Sequence, residues 1–288
     1  MPTWSALTTL PGPAAAESLA AAVERMAPAP VGVGVFEIED GSALWEVGAY
    51  FVEAPDQVIL AILAAAFGAA DFAVSELPEV DWVAHVRREL HPVDAGRFFV
   101  FGSHDAHRVP AGRVALQIEA TVAFGTGHHG TTLGCLRAFD WLFGDGLRPA
   151  RVADIGCGTA VLAMAAAAVL PDAVVIASDI DEVAVEVARA NVAINGMDGR
   201  VTCVEAAGFD HPSLAARFDL IFANILKGPL IDLAPAMAAH TGPGGTVILS
   251  GLLVIQAESI LAAYATAGFT PLSREDIGEW STLILRRD

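Results

Sequence analysis

Cysteine, lysine and long apolar runs are scarce in this 288-residue chain, and each scarcity removes a class of protein. The three cysteines, Cys135, Cys157 and Cys203, stand far apart with no pair at metal-ligand spacing, so neither a disulfide framework nor a zinc site is expected. They read as small core residues. The longest apolar stretches, 60–70 and 160–170, reach about half of the roughly 20 residues needed to cross a bilayer, so no membrane span is predicted. The first 30 residues carry no basic head before an apolar run, so no secretory signal is expected either, and a cytoplasmic protein is the default. Basic residues number 16 against 34 acidic ones, and Lys227 is the only lysine. A formal net charge of -18 argues against broad contact with nucleic-acid phosphates and leaves solubility or a basic partner as its meaning.

What is present is a glycine loop between two acids. The run Val152-Ala153-Asp154-Ile155-Gly156-Cys157-Gly158-Thr159 is an apolar strand that holds an acid, breaks into glycines and enters the apolar stretch 160–170. A helix N-terminus and a bare backbone thereby meet at a strand's carboxyl end. A second apolar strand, 174–177, delivers Asp179 to the same edge, where its carboxylate can take both hydroxyls of a ribose.

The spacing discriminates between cofactors. A dinucleotide fingerprint laid on Gly156 and Gly158 finds Val161 where the helix should press close to the sheet. Asp154 would also sit against a pyrophosphate, anion beside anion. S-adenosylmethionine carries an α-ammonium and a sulfonium and no phosphate, so the acid, the glycine loop and the ribose acid together favour it. A structural turn is the plainer meaning of the glycines taken alone.

The chain is long enough for two domains. Its first 77 residues alternate as β-α-β-β-α-β: apolar 4–10, helical 14–26, apolar 31–38, apolar 43–52, helical 55–67 and apolar 72–77. Asp40-Gly41-Ser42 supplies the central turn, and Pro28 with Pro30 ends the first helix. A ferredoxin-like domain with a binding role fits this order. Residues 78–117 read as a linker with a short helix and some strand, and His85, His91, His104 and His107 within it lack the helical spacing of a metal site.

Residues 118–288 read as a catalytic domain. Strands are predicted at 152–155, 174–178, 201–204, 220–223 and 246–250 with helices between, and Asn195-Gly196 is a helix stop. After a helix at 255–267, apolar 269–272 and 282–285 are joined by a polar turn. An antiparallel hairpin closing a parallel sheet is the α/β Rossmann-like arrangement of a class I methyltransferase rather than a dehydrogenase.

Two further segments carry chemistry. The run Ala123-Phe124-Gly125-Thr126-Gly127-His128-His129-Gly130-Thr131-Thr132 is rich in amides and hydroxyls, and Thr132 opens the helical stretch 133–143, where its hydroxyl can meet a cofactor's carboxylate. A helix cap is the alternative. After the fourth strand stands Asn224-Ile225-Leu226-Lys227-Gly228-Pro229-Leu230. The Asn224 side-chain oxygen, on the rim of Asp154 and Asp179, can accept a hydrogen bond from an amine, although asparagine is also a common strand-end residue.

Taken together these segments resemble the PrmA family, which methylates ribosomal protein L11. The resemblance covers nearly the whole chain. It rests on Phe124-Gly125-Thr126-Gly127 with His129 and Thr131-Thr132, on 154–158, on Asp179-Ile180-Asp181, on Asn224-Ile225-Leu226 with Gly228-Pro229-Leu230, and on Ser250-Gly251 with Gln256-Ala257-Glu258. It implies that Thr132, Gly156, Asp179 and Asn224 contact S-adenosylmethionine, with Asp154 and Gly158 completing the cofactor site, and that the first domain grips ribosomal protein L11. Asn224 is then the residue that orients a lysine or N-terminal amine for methylation. The chain departs from the family at His128 and Gly130, where threonine and proline are usual, at Ala160 in place of a third glycine, and at Glu119 and Thr121. Methylation of another protein or of a small amine, a non-catalytic cofactor-binding module that docks on the ribosome, and a nicotinamide oxidoreductase are the competing readings.

Overall fold

The structure is a computed structural model that describes residues 3–38, 44–77, 92–118 and 129–288. The chain divides into two compact units, 1–81 and 82–288.

The first unit runs β1 (Thr3–Pro11), α1 (Pro13–Val23), β2 (Gly32–Glu37), β3 (Leu44–Phe51), α2 (Gln57–Phe67) and β4 (Ala73–Leu77). Its sheet has the order β2-β3-β1-β4, every neighbouring pair antiparallel, which is the split β-α-β connectivity. Local chemistry sets the helix ends. Pro13 supplies a preset φ at the start of α1. The Asp56 carboxylate accepts from the amides of Val58 at 2.8 Å and Ile59 at 3.2 Å to cap α2, and Gly68 ends it in the left-handed region. Leu10, Leu19, Val23, Val47, Phe51 and Leu60 form the buried centre of this unit. The turn expected at Asp40-Gly41-Ser42 lies outside the described residues.

The second unit begins with a small sheet in the segment whose sequence pattern is that of a linker. Strands β5 (Val93–Ala95), β6 (Phe98–Phe101) and β7 (Val114–Gln117) pair in that order. Ala95, Phe98 and Leu116 are fully buried in the core of the larger sheet, so residues 93–117 belong structurally to this unit. Asn195 fastens them, its Oδ1 accepting from the Gln117 amide at 2.9 Å and its Nδ2 donating to the Gln117 carbonyl at 2.7 Å. The apolar run at 98–101 is the visible strand of this segment, and its partners at 93–95 and 114–117 are too short to show a pattern of their own.

The main elements continue as α3 (His129–Gly144), β8 (Arg151–Ile155), α4 (Val161–Val169), β9 (Val174–Asp179), α5 (Glu182–Ile194), β10 (Val201–Glu205), β11 (Phe218–Asn224), α6 (Lys227–His240), β12 (Thr241–Leu253), α7 (Ala257–Thr266), β13 (Phe269–Ile277) and β14 (Trp280–Arg287). The seven-stranded sheet has the order β10-β9-β8-β11-β12-β14-β13, parallel through β12, with β14 antiparallel to both its neighbours. The expected C-terminal hairpin is therefore inserted so that its second strand meets the parallel sheet.

Both faces of this sheet are covered, which is why its strands read as continuous apolar runs rather than alternating ones. Val152, Val175, Leu220, Phe222 and Ile248 face one core with Phe139, Met164 and Val192, whereas Ala153, Ile176, Ile221, Val247 and Leu249 face the other with Met237, Ile260 and Tyr264. The chain winds outward from β8 to β10 and returns to β11 on the other side of β8. The carboxyl ends of β8 and β11 are thus the switch point at which such sheets open a crevice.

Candidate functional site

Strand register aligns the acids and the amide at that switch point. Asp179 pairs with Glu205, and the residue before it, Ser178, pairs with Ile155. Ala223 also pairs with Ile155, and Asn224 pairs with Ser250. Glu205, Asp179, Gly156, Asn224 and Ser250 therefore stand in one row across the carboxyl edge. With neighbouring strands about 4.8 Å apart, Asp179 and Asn224 flank the glycine loop from either side, roughly 10 Å from each other.

The loop is held from two directions. Asp179 Oδ2 accepts from the Gly158 amide at 2.9 Å, and the Cys157 amide donates to the Ser178 carbonyl at 2.9 Å. Asn191, on α5, donates through Nδ2 to the Thr159 carbonyl at 3.2 Å. Gly156 and Gly158 both have positive φ, 68° and 52°, as the tight loop requires. Ala160 takes the same left-handed region at φ 60° while fully buried, a conformation that favours glycine. Asp179 Oδ1 also accepts from the Asp181 amide at 3.1 Å, and Asp181 caps α5 through the Val183 amide at 2.9 Å.

Asp154 is placed differently from the ligand-facing acid that the sequence suggests. It is 1% exposed and lies beneath the loop, where its Oδ2 accepts from the Ala163 amide at 3.0 Å in the first turn of α4. The N-cap of α4, Ala160, has no side chain to do this, so Asp154 reaches across from the strand. Burial pushes its carboxyl up to about 8, the Ala163 amide opposes that rise, and the charge of Asp179 adds to it. The structure therefore gives Asp154 the part of a support for loop and helix. Asp179, part-exposed on the rim, is the acid open to a ligand.

Asn224 ends β11, and its Oδ1 is buried with no hydrogen-bond partner among the described residues. Such an acceptor costs about 1–3 kcal/mol when left unmet. A bound molecule with an N–H or O–H donor would satisfy it. Ser178 Oγ, buried in the strand below Asp179, is unpartnered in the same way among the described residues.

Thr132 lies in the first turn of α3, which starts at His129 rather than at Thr132 itself. That helix is bound to the β14 side of the sheet: a Cβ on Gly130 would stand 3.0 Å from Trp280 Cδ1, and one on Gly134 would stand 2.1 Å from Thr282 Oγ1. The glycine-threonine loop at 123–128, with Glu119 and Thr121 before it, lies outside the described residues. So do His85 and His91, whereas His104 pairs with Asp105 at 3.3 Å.

Ile180 and Leu226 lie within segments that carry the resemblance, but nothing in the sequence marks them as exposed. Ile180 is 73% exposed directly after Asp179, and Leu226 is 59% exposed two residues after Asn224. Apolar side chains so placed can cover the flat or aliphatic parts of a ligand, but only solvent exposure distinguishes them from core residues. Asn191 is legible only as a helix residue, since its bond to Thr159 spans 32 positions. The thiols are not poised for chemistry. Burial raises Cys135 and Cys157 well above the usual range, and Cys203 to about 11.

The rim residues fit S-adenosylmethionine: an acid level with the glycine loop can face ribose hydroxyls, the glycines leave no side chain in the way, and an unmet oxygen stands on the far side.

Comparison with known proteins agrees with this geometry. The family model for ribosomal protein L11 methyltransferase (PrmA) matches residues 17–288. A ribosomal protein L11 methyltransferase of Bradyrhizobium diazoefficiens is 46% identical over 261 residues, 88% of this chain and 87% of the relative. One from Brucella abortus is 44% identical over 240 residues, 83% of each chain. Among solved structures, a ribosomal protein L11 methylase from Lactobacillus delbrueckii subsp. bulgaricus superposes with a TM-score of 0.61 at 26% identity, covering 69% of this chain and all of its own. The chain therefore belongs to the ribosomal protein L11 methyltransferase (PrmA) family.

Proposed function

We propose that this protein transfers methyl groups from S-adenosylmethionine to amine nitrogens of ribosomal protein L11, on lysine side chains, on the N-terminal α-amine, or on both. The carrying observation is the buried Asn224 Oδ1, unpartnered among the described residues, level with the glycine loop and opposite Asp179. When bound, the cofactor supplies an electrophilic methyl group on a sulfonium.

The residues of this chain do the rest. Asp179 holds the Gly158 amide and so shapes the loop, and its exposed side would meet the ribose. Thr132, in the first turn of α3, would receive the carboxylate of the cofactor. Asn224 accepts a hydrogen bond from the attacking amine and turns its lone pair towards the methyl carbon. The methyl that the cofactor would supply would pass from its sulfonium to this nitrogen, the C–S electron pair staying on sulfur as a neutral thioether. The methylated nitrogen carries the positive charge and releases a proton to water before any further round.

The amine must be neutral to attack. A lysine with pKa about 10.4 costs roughly 4.6 kcal/mol to deprotonate at pH 7, whereas an α-amine near 7.8 costs about 1 kcal/mol. Desolvation beside a sulfonium favours the neutral form of both. Asn224 has no basic group, so its part is orientation, and holding the reactants in line supplies much of the rate.

The first unit is the substrate-recognition part in this reading. Residues 1–81 contain twelve acidic side chains and one basic one, Arg25, which suits a cationic protein partner. Among the described residues no helix is long and apolar enough to cross a membrane.

Incubation of purified ribosomal protein L11 with the enzyme and labelled S-adenosylmethionine, read by intact mass, tests the proposal. Mass gains in steps of one methyl, lost in Asn224→Ala at saturating S-adenosylmethionine, are the expected result. Cofactor binding without any gain on L11 would overturn it and favour a non-catalytic role or another amine.

A further inference from the structure

Segments from three strands meet at Ile225, whose side chain carries no functional group. Ile225 comes directly after Asn224, and its Cγ2 fills the space in which a side chain on Gly156 would begin: a Cβ there would stand 2.2 Å from it. On the other side the Ile225 backbone runs over Gly251, where a Cβ would stand 2.5 Å from the Ile225 oxygen and 2.8 Å from its nitrogen. The Ile225 amide donates to the Ser250 carbonyl at 3.2 Å, and Gly251 has φ 81° within the bulge that breaks the β12–β14 register. The cofactor loop, the amine-orienting asparagine and the end of β12 are thus packed through Ile225 with no room to spare.

We propose that Ile225 is a positioning residue, whose β-branch fixes the separation between the glycine loop at Gly156 and the Asn224 side-chain oxygen. This rests on the methyl-transfer reading above. In-line transfer needs the amine nitrogen and the methyl carbon at a set distance, and a displacement of about 1 Å in such a pair can cost roughly a hundredfold in rate. Asn224 is the last residue of its strand, and the packing of its neighbour Ile225 determines how its carbonyl and side chain are aimed. An ordinary packing residue at position 225 would need only volume. A spacer in contact with Gly156 needs the methyl branch at Cβ, because Cγ2 is the atom that meets the Gly156 Cβ position, with the Ile225 Cβ behind it at 3.7 Å.

The test separates shape from volume. Ile225→Val keeps both branches at Cβ and loses only the terminal methyl, whereas Ile225→Leu keeps the carbon count and moves the branch one bond outward. Steady-state methylation of L11, cofactor affinity by calorimetry and melting temperature are measured for both. The expected result is kcat within about twofold of wild type for the valine variant and lowered roughly tenfold or more for the leucine variant, with KM for S-adenosylmethionine moved less than about threefold in each. Equal kcat for leucine and wild type would overturn the inference. So would equal losses in both variants, or losses that appear only as raised KM or a lowered melting temperature. Wild-type enzyme that leaves L11 unmodified would instead count against the proposed function, and the valine–leucine comparison would then be read on whichever amine is methylated.

Discussion

The carboxylate of Asp179 accepts the amide of Gly158 at 2.9 Å across 21 residues of chain, joining the end of β9 to the loop after β8. One oxygen thereby holds the cofactor loop while the other, bonded to the Asp181 amide, secures the turn into α5. Asp179→Ala removes both. A charge-assisted hydrogen bond is worth about 1.5–3 kcal/mol, so S-adenosylmethionine should bind roughly ten- to a hundredfold more weakly, as read by calorimetry. An unchanged Kd would show that the loop holds its shape without this acid.

Asp154 gives the protein a distinctive pH dependence. Its carboxyl is raised from 3.8 to about 8 by burial first, against the Ala163 hydrogen bond and with the charge of Asp179. An acid raised in this way binds its proton more tightly in the native state than in the unfolded one. Its contribution to stability is full below about pH 4 and is lost as pH rises towards 8. Asp154→Asn keeps an oxygen for the Ala163 amide and cannot ionise. The difference in melting temperature, variant minus wild type, should therefore grow between about pH 5 and pH 8. A difference that is flat in pH would show that Asp154 does not titrate in this range.

Two glycines of positive φ separate backbone strain from collision. Gly146, φ 97°, has nothing within 4 Å of an added Cβ, whereas Gly251, φ 81°, has the Ile225 backbone at 2.5 Å. Gly146→Ala should lose only about 1 kcal/mol, the cost of a left-handed alanine. Gly251→Ala must also move main chain beside Asn224, so a loss of roughly 3 kcal/mol or more in urea unfolding is expected, with activity falling too. Similar losses for the two would mean that the end of β12 yields easily.

Ala160 already bears left-handed strain at φ 60° with no exposure. Ala160→Gly should be nearly neutral, because relief of about 1–2 kcal/mol is offset by the greater freedom of glycine in the unfolded chain. Ala160→Val places a β-branched residue where such residues are genuine outliers, and should destabilise by roughly 2 kcal/mol or more in the same melts. A tolerated valine would show that the turn into α4 can change its backbone.

Much of the molecule is legible in the residues. The elements of the first unit fall within three residues of the expected bounds, because Pro13, Asp56 and Gly68 mark helix ends by local chemistry. The parallel strands stand out as apolar runs bounded by glycine, proline or an acid, and Asp154, Gly156, Gly158, Asp179 and Asn224 all fall on the switch-point edge or in the loop leaving it. The segment 93–117 reads as a linker with a short helix and some strand, and it holds three short strands and a short helix at 103–108; strands of three or four residues carry too little periodicity to show that they pair as one sheet.

By itself the sequence determined the order of strands and helices, the acid–glycine–acid loop and the Asn-Ile-Leu segment, because these depend on chemistry within a few neighbouring residues. Only the tertiary structure decided that Asp154 is buried and Asp179 part-exposed, that Asn224 Oδ1 has no partner among the described residues, and that Ile225 closes the space over both Gly156 and Gly251. Burial and contact between strand ends 69 and 26 positions apart in the chain arise when the sheet assembles, and no local pattern of residues encodes them.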